Sequence, residues 1–256
     1  MNDWNPEQYI KFISERTQPS IDLANRIEAK DPKLIIDIGC GPGNSTAVLA
    51  KKFPNAKIIG ADNSKSMVEK AKYQYPALDF ILFDAEKDFP ELKNKYDVVF
   101  SNACIQWVPN HRKLLSDMMS ILNDNGIMAV QVPMNYNEPI HKILRTLSES
   151  QKWKSKFSGD RIFHTLSQSE YFDLLSEISS DFTMWETIYM HRMPSHESIL
   201  DWYRSTGMRP YLNSLSEENA KEFEKDVLSE VVKEYPIQKN GEIIFRFPRL
   251  FFTAVK

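Results

Sequence analysis

Cysteine is nearly absent from this chain. Cys40 and Cys104 are the only two in 256 residues, far apart and in neither a metal-ligand nor a redox spacing, which excludes a disulfide framework and a cysteine-based zinc site. Both read as free thiols in a reducing compartment. Long apolar runs are missing as well: nothing approaches the roughly 18 residues a membrane span needs, and Met1 to Ile10 is polar, with Asp3 and Pro6. The expectation is a cytoplasmic protein with no membrane partner. Positive charge is not in excess either. A net charge of −3 leaves no electrostatic footprint for a polyanion, so no nucleic acid is expected. The five histidines form no ligand signature, and no metal is expected. Self-association has no visible signature, which leaves a monomer or weak homo-oligomer. The apolar fraction of 42% still suffices for a buried core.

Glycine is scarce too, at eight residues, yet three of the eight are Gly39, Gly41 and Gly43. They follow the apolar run Ile35-Ile36-Asp37-Ile38 and precede Asn44, Ser45 and Thr46, which can cap a helix. A strand running into a glycine turn that opens a helix outlines a nucleotide-cofactor site, because residues without Cβ let the backbone approach a ligand. Further apolar runs at Ala56 to Asp62, Asp79 to Ala85, Tyr96 to Ala103 and Gly126 to Pro133 read as buried strands. Helical text separates them, at Ser45 to Phe53, Ser66 to Tyr75 and His111 to Leu122. The alternation predicts an α/β fold, a doubly wound, mostly parallel Rossmann-like sheet. Ligands of such sheets sit beyond the carboxyl ends of the strands, where Gly39, Asp62, Asp84 and Asn102 all fall.

The organisation read from the text is one domain, 1–256. A helical N-terminal lid occupies 1–30 and the cofactor-binding core 31–136. Helical cap insertions follow at 137–181 and 194–240, with closing strands at 182–193 and 242–256. Ser214 with Glu217 is a capping-box candidate for the charged helix ending near Tyr235.

The spacing at the turn selects the cofactor. A dinucleotide turn reads G-x-G-x-x-G, whereas here the third glycine comes one residue early and Asp37 puts a carboxylate where a pyrophosphate would be repelled. S-adenosylmethionine has no phosphate, and its ammonium suits Asp37 and the turn carbonyls. Asp62 can accept from both ribose hydroxyls, Asp84 from the adenine amino group, and Met67 can pack on the ring. Asp84 reads equally as a helix cap and Met67 as core. Cys40, Asn44, Asn63, Ala85, Asn102, Ala103 and Trp107 complete the expected cofactor set; Trp107 can equally be an ordinary core aromatic.

At these residues the chain resembles class I S-adenosylmethionine-dependent methyltransferases, whose first motif reads D-x-G-C-G-x-G. A closer resemblance runs almost end to end. Asp3-Trp4-Asn5-Pro6 with Tyr9, Phe12 and Arg16, Asn102-Ala103 with Gln106-Trp107, Met193-Pro194-Ser195-His196, Asp201-Trp202, Thr206-Gly207-Met208-Arg209-Pro210 and Phe247-Pro248-Arg249-Leu250-Phe251 are similar to the trans-aconitate 2-methyltransferase family. The resemblance implies esterification of one carboxylate of trans-aconitate, or of a similar small polycarboxylate. Met134 stands where that pattern leads one to expect an acidic residue.

A carboxylate is already nucleophilic at neutral pH, so no general base is required and no catalytic residue is assigned. The chain must instead supply cations and donors for the acceptor's carboxylates, and the candidates are Arg16, Tyr189, His191, Trp202, Arg209 and Arg249. Arg209 leads, in an abrupt loop inside helical text. His196 is a further donor candidate beside His191, and for both a satisfied structural histidine is the commoner fate. For the arginines a structural ion pair is the competing reading. A phenol or amine acceptor, or a non-catalytic S-adenosylmethionine-binding protein, are the alternative functions.

Overall fold

The computed structural model describes residues 13–93, 95–157, 163–204 and 206–256, without the side chains of residues 13, 14 and 16. Tyr9, Phe12 and most of the expected lid therefore lie outside the described residues, as does the Arg16 side chain. The first part of the chain runs through α1 (Ile13–Asn25), β1 (Leu34–Ile38), α2 (Asn44–Lys52), β2 (Lys57–Asp62), α3 (Lys65–Gln74) and β3 (Asp79–Leu82). It continues through β4 (Tyr96–Asn102), α4 (His111–Ser120), β5 (Leu122–Pro133), α5 (Pro139–Glu149) and α6 (Gln168–Ile178). The last part contains β6 (Phe182–Met193), α7 (His196–Arg204), α8 (Arg209–Leu212), α9 (Glu217–Glu234) and β7 (Ile243–Val255).

The strands form a seven-stranded sheet in the order β3-β2-β1-β4-β5-β7-β6. Neighbouring pairs from β3 to β5 are parallel. β1 and β4 are apolar and buried almost throughout, as strands covered on both faces must be. The chain winds outward from β1 to β3 and then returns to pair β4 with β1, which makes the β1/β4 boundary a topological switch point. In register, Asp37 pairs with Gly60 on one side and Phe100 on the other, so Gly39, Asp62 and Asn102 come level at the carboxyl edge.

Two compact units divide the described chain. One comprises Ile13–Pro133, Phe163–Thr187 and Leu250–Lys256; the other comprises residues 134–157 and 188–249, so β6 and β7 each contribute to both. Within the first, α1 packs on α2 and β5 and buries Leu23 and Ala24. The expected cap segment 137–181 is divided between the units. Helix α6 lies in the sheet unit, where the Tyr171 hydroxyl lies 2.8 Å from His111 Nδ1 and its ring 5.5 Å from that of Phe252. In the second unit the core is aromatic: Trp153, Tyr203, Tyr211, Phe223 and Phe245 are buried together, with Trp153 edge-on to Phe223 at 5.1 Å. The Trp153 indole N–H is satisfied by Asp226 at 2.7 Å.

Several boundaries differ from expectation for local reasons. β5 begins at Leu122 rather than Gly126, because the register against β4 jumps from Tyr96↔Leu122 to Val98↔Ile127 and residues 123–126 bulge outward. The capping serine of α9 is Ser216, whose hydroxyl accepts from Asn219 N–H, and not Ser214. Ser214 is occupied at the end of α8, donating to the Tyr211 carbonyl at 2.8 Å. A full capping box lies instead at α6: Ser167 accepts from the Glu170 N–H, and the Glu170 carboxylate accepts from the Ser167 N–H at 2.8 Å.

Candidate active site

In the sheet unit the site grows from the glycine turn. Gly39 takes φ +77°, its N–H donating to the Ala61 carbonyl at 2.7 Å, and a Cβ built there would lie 2.2 Å from Cys104 Sγ. Close approach of the β4 loop thus demands glycine. Gly41 also has positive φ, at +54°, but a Cβ there would meet no atom within 4 Å. Its face of the turn is open to a ligand. The Gly41 N–H donates to Asp62 Oδ2 at 2.8 Å while Asp62 Oδ1 accepts from the Ser64 N–H at 2.9 Å, so one carboxylate sets the turn and starts α3.

The helix after the turn is not capped as its sequence suggests. Gly43 is the capping residue and uses no side chain. Asn44 accepts from the Tyr75 hydroxyl at 3.0 Å, and the Ser45 and Thr46 hydroxyls both donate to Asp37 Oδ2, at 2.6 and 2.7 Å. The reason is a strong acceptor: the buried Asp37 carboxylate takes both hydroxyl hydrogens, and neither side chain serves as the helix cap. Asp37 is fully buried and its second oxygen, Oδ1, has no partner. Burial pushes its carboxyl up to about 6, against the pull of the two hydroxyls.

Beyond β4 the same pattern recurs. Asn102 Oδ1 and Gln106 Oε1 are buried without a hydrogen-bond partner, while Gln106 Nε2 donates to the Ala103 carbonyl at 2.8 Å. Ala103 holds φ +53°, a strained value for alanine, with its N–H on the Gln131 carbonyl at 3.0 Å. Gln106 was not assigned a role from sequence, although it lies in the quoted Gln106-Trp107 pair. Trp107 is half-buried, its ring 5.1 Å from that of Phe163. Cys40 is buried, Asn63 exposed and Ala85 half-buried. Met67 is buried on α3.

Asp84 lies two residues past the end of β3, not on it. Its carboxylate accepts from the Glu86 N–H at 3.0 Å and pairs with Lys87 at 3.0 Å, and the Glu86 hydrogen bond leads in holding its carboxyl below the usual range. These contacts cap the turn that follows β3. No group of side chains that could hold a metal ion, and no helix long and apolar enough to cross a membrane, occurs among the described residues.

The second unit assembles four of the expected acceptor residues. Arg249 is buried, only 4% exposed, its guanidinium 4.4 Å from the Phe247 ring centroid and 5.9 Å from that of Tyr189. The His191 ring lies 4.8 Å from Trp202 and nearly parallel to Tyr189 at 6.1 Å. Phe245 and Phe247 close the group. Tyr203 adds a fully buried phenol whose oxygen accepts from Asn135 Nδ2 at 2.8 Å. Arg209 starts α8, half-buried, just after the Thr206 and Met208 N–H groups have closed α7 on the Tyr203 carbonyl. His196 is engaged within the fold, its Nε2 lying 2.8 Å from the Tyr235 carbonyl oxygen.

Comparison with known proteins extends this geometry to the whole chain. Residues 29–191 match the family model described as a methyltransferase domain. A trans-aconitate 2-methyltransferase of Enterobacter sp. (strain 638) is 41% identical over 99% of this chain and 98% of its own. The enzyme of that name from Escherichia coli O139:H28 is 38% identical with the same coverage. Among solved structures, a putative methyltransferase of Bacillus halodurans C-125 superposes with a TM-score of 0.61, at 15% identity over 93% of this chain and 99% of that one, and speaks to the fold alone. The glycine turn, the sheet order and the buried Arg249 among its aromatics thus sit in a chain whose relatives match it end to end: it belongs to the trans-aconitate 2-methyltransferase family.

Proposed function

We propose that this chain transfers the methyl group of S-adenosylmethionine to one carboxylate of trans-aconitate, or of a closely similar small polycarboxylate, and releases the monomethyl ester with S-adenosylhomocysteine. The observation that carries the donor half is the run of buried acceptor oxygens without partners at the switch point: Asp37 Oδ1, Asn102 Oδ1 and Gln106 Oε1. Acceptors buried without donors fit a ligand that brings N–H groups and positive charge. Asp37 ahead of the turn disfavours a pyrophosphate, and the open face of Gly41 leaves room for the ligand. When bound, this cofactor supplies an electrophilic methyl carbon on a sulfonium centre.

The chain's own residues then bind and orient. We assign Asp37, Gly39, Cys40, Gly41, Gly43 and Asn44 to the methionyl side, Asp62 and Asn63 to the ribose, and Met67, Asp84 and Ala85 to the adenine. Asn102, Ala103 and Trp107 we place beside the methyl group. Asp62 accepts a backbone N–H on each carboxylate oxygen, which fixes the orientation of the group assigned to the ribose. For the acceptor half, the names of the relatives and the buried Arg249 with its aromatic neighbours support a polycarboxylate. Tyr189, His191, Trp202 and Arg249 form the binding cluster, with Arg209 and Arg16 as further cations. The acceptor carboxylate is ionised at neutral pH, so alignment and exclusion of water carry the rate, and no proton is removed. Two free thiols fit a reducing, cytoplasmic setting, and the working form is a monomer or weak homo-oligomer.

The test is transfer of a labelled methyl group from S-adenosylmethionine to a panel of di- and tricarboxylates, phenols and amines. Base-labile label on trans-aconitate is the expected result. Turnover of a phenol or amine with every carboxylate inert would overturn the acceptor, and cofactor binding with no transfer at all would leave a binding protein.

A further inference from the structure

Tyr203 is placed in a way that packing does not require. Its ring is locked: a Cβ at Gly207 would lie 2.5 Å from two of its atoms, and His141 and Phe245 meet it edge-on at 5.2 and 5.9 Å. Its hydroxyl accepts from Asn135 Nδ2, 68 positions earlier in the chain, at 2.8 Å. An oxygen that accepts from the amide must send its own hydrogen elsewhere, and among the described residues nothing accepts it. Burial, with Tyr235 next, pushes the phenol well above its usual value, so the proton stays on; Arg249 is close enough to oppose that push, as is Asn135. The groups facing Tyr203 from the packed elements are Tyr235, Glu138 and Arg249, and the Glu138 carboxylate is taken by an ion pair with Arg246.

A buried phenol O–H and a buried guanidinium are both donors, and a carboxylate offers two acceptor oxygens. We propose that Tyr203 is a specificity-determining donor that, together with Arg249, holds a carboxylate of the acceptor that is not methylated, and that Asn135 is the positioning residue that turns the phenol proton toward it. This deepens the proposed function and rests on it. The role of Asn135 follows from the direction of one hydrogen bond. A side chain that donates to Tyr203 frees its proton for the ligand, and one that accepts from Tyr203 would consume it.

Steady-state kinetics with trans-aconitate and with dicarboxylates lacking one of its carboxylates, beside cofactor titrations, test the assignment. For Tyr203→Phe the expected result is a KM for the tricarboxylate raised roughly ten- to a hundredfold, kcat within a few-fold and cofactor affinity unchanged. The preference for tricarboxylate over dicarboxylate should collapse by the same factor, which loss of packing alone would not do. Asn135→Asp, nearly isosteric, should give the same phenotype by accepting the phenol proton, and the double variant should be no worse than Tyr203→Phe. If Tyr203→Phe does not fold, Asn135→Asp carries the same readout. Wild-type discrimination in either folded variant, or a fall in kcat with KM unmoved, overturns the proposal. Failure of the wild-type chain to methylate any carboxylate would strike the functional reading instead.

Discussion

Replacing Asp37 by asparagine should make the protein more stable and a poorer binder of its cofactor. Asparagine copies the shape of the protonated carboxyl, so its oxygen can keep the Ser45 and Thr46 hydroxyls while the charge disappears. The carboxyl titrates at about 6 in the fold against 3.8 as its reference, a difference worth about 3 kcal/mol. A raised acid pKa means that the folded state pays for ionisation: the cost is full above pH 6 and disappears as pH falls to 3.8. Asp37→Asn should therefore gain about 3 kcal/mol over wild type at pH 8, and the gap should close near pH 4. Urea unfolding of both proteins without cofactor at pH 8, 6 and 4 measures it. Cofactor titration supplies the second arm, since a cation held by Asp37 binds more tightly as pH rises through 6, and the asparagine variant should lose both affinity and that pH dependence. A variant no more stable than wild type at pH 8 would refute the account of the partnerless buried oxygen. One that is more stable yet binds the cofactor as well as wild type would remove Asp37 from the site.

Gly39→Ala should cost about 2 to 5 kcal/mol in urea unfolding, from the left-handed backbone and the collision with Cys104 together. Cys104→Gly should recover the collision part, but Cys104→Ala should not, because the cysteine Cβ is itself 2.3 Å from the added methyl. His141 titrates near 4, lowered by burial and then by Arg145, so its stabilisation is whole above its reference of 6.5 and lost as pH falls to 4. His141→Gln should thus lose about 3 kcal/mol less than wild type between pH 7.5 and 4 in the same assay. Ser167→Ala removes the capping box of α6 and should cost about 1 kcal/mol, read as a lowered urea midpoint.

The parallel sheet was readable because its strands are short, apolar and separated by polar helices, and because Gly39, Gly41 and Gly43 cluster in a chain otherwise poor in glycine. Local chemistry was readable only where its partners are near in sequence. Ser45 and Thr46 look like helix caps until the fold brings Asp37 under them. Position alone leaves Asp84 open between adenine and cap, and its contacts with Glu86 and Lys87 are visible only in the fold. Ser214 has the capping-box spacing to Glu217, but the turn of α8 occupies its hydroxyl and Ser216 caps α9 instead. Arg249 stands beside aromatics in the sequence, but Tyr189, whose ring centroid lies 5.9 Å from its guanidinium, is sixty positions away. The Asn135–Tyr203 pair has no signature at all, since nothing in the spacing of two residues on separate elements announces a hydrogen bond.

The two cysteines also bear on how this protein can be handled at the bench. Burial pushes the Cys104 thiol up to about 12 and that of Cys40 well above its usual value. Near neutral pH only on the order of one Cys104 in ten thousand or fewer is a thiolate, the form that reacts with maleimides. A cysteine introduced on an exposed helix, such as at Glu218 of α9, would titrate near its ordinary value and react far faster. Single-site fluorophore or spin labelling can then proceed on the native background, with neither natural thiol removed and the glycine turn undisturbed.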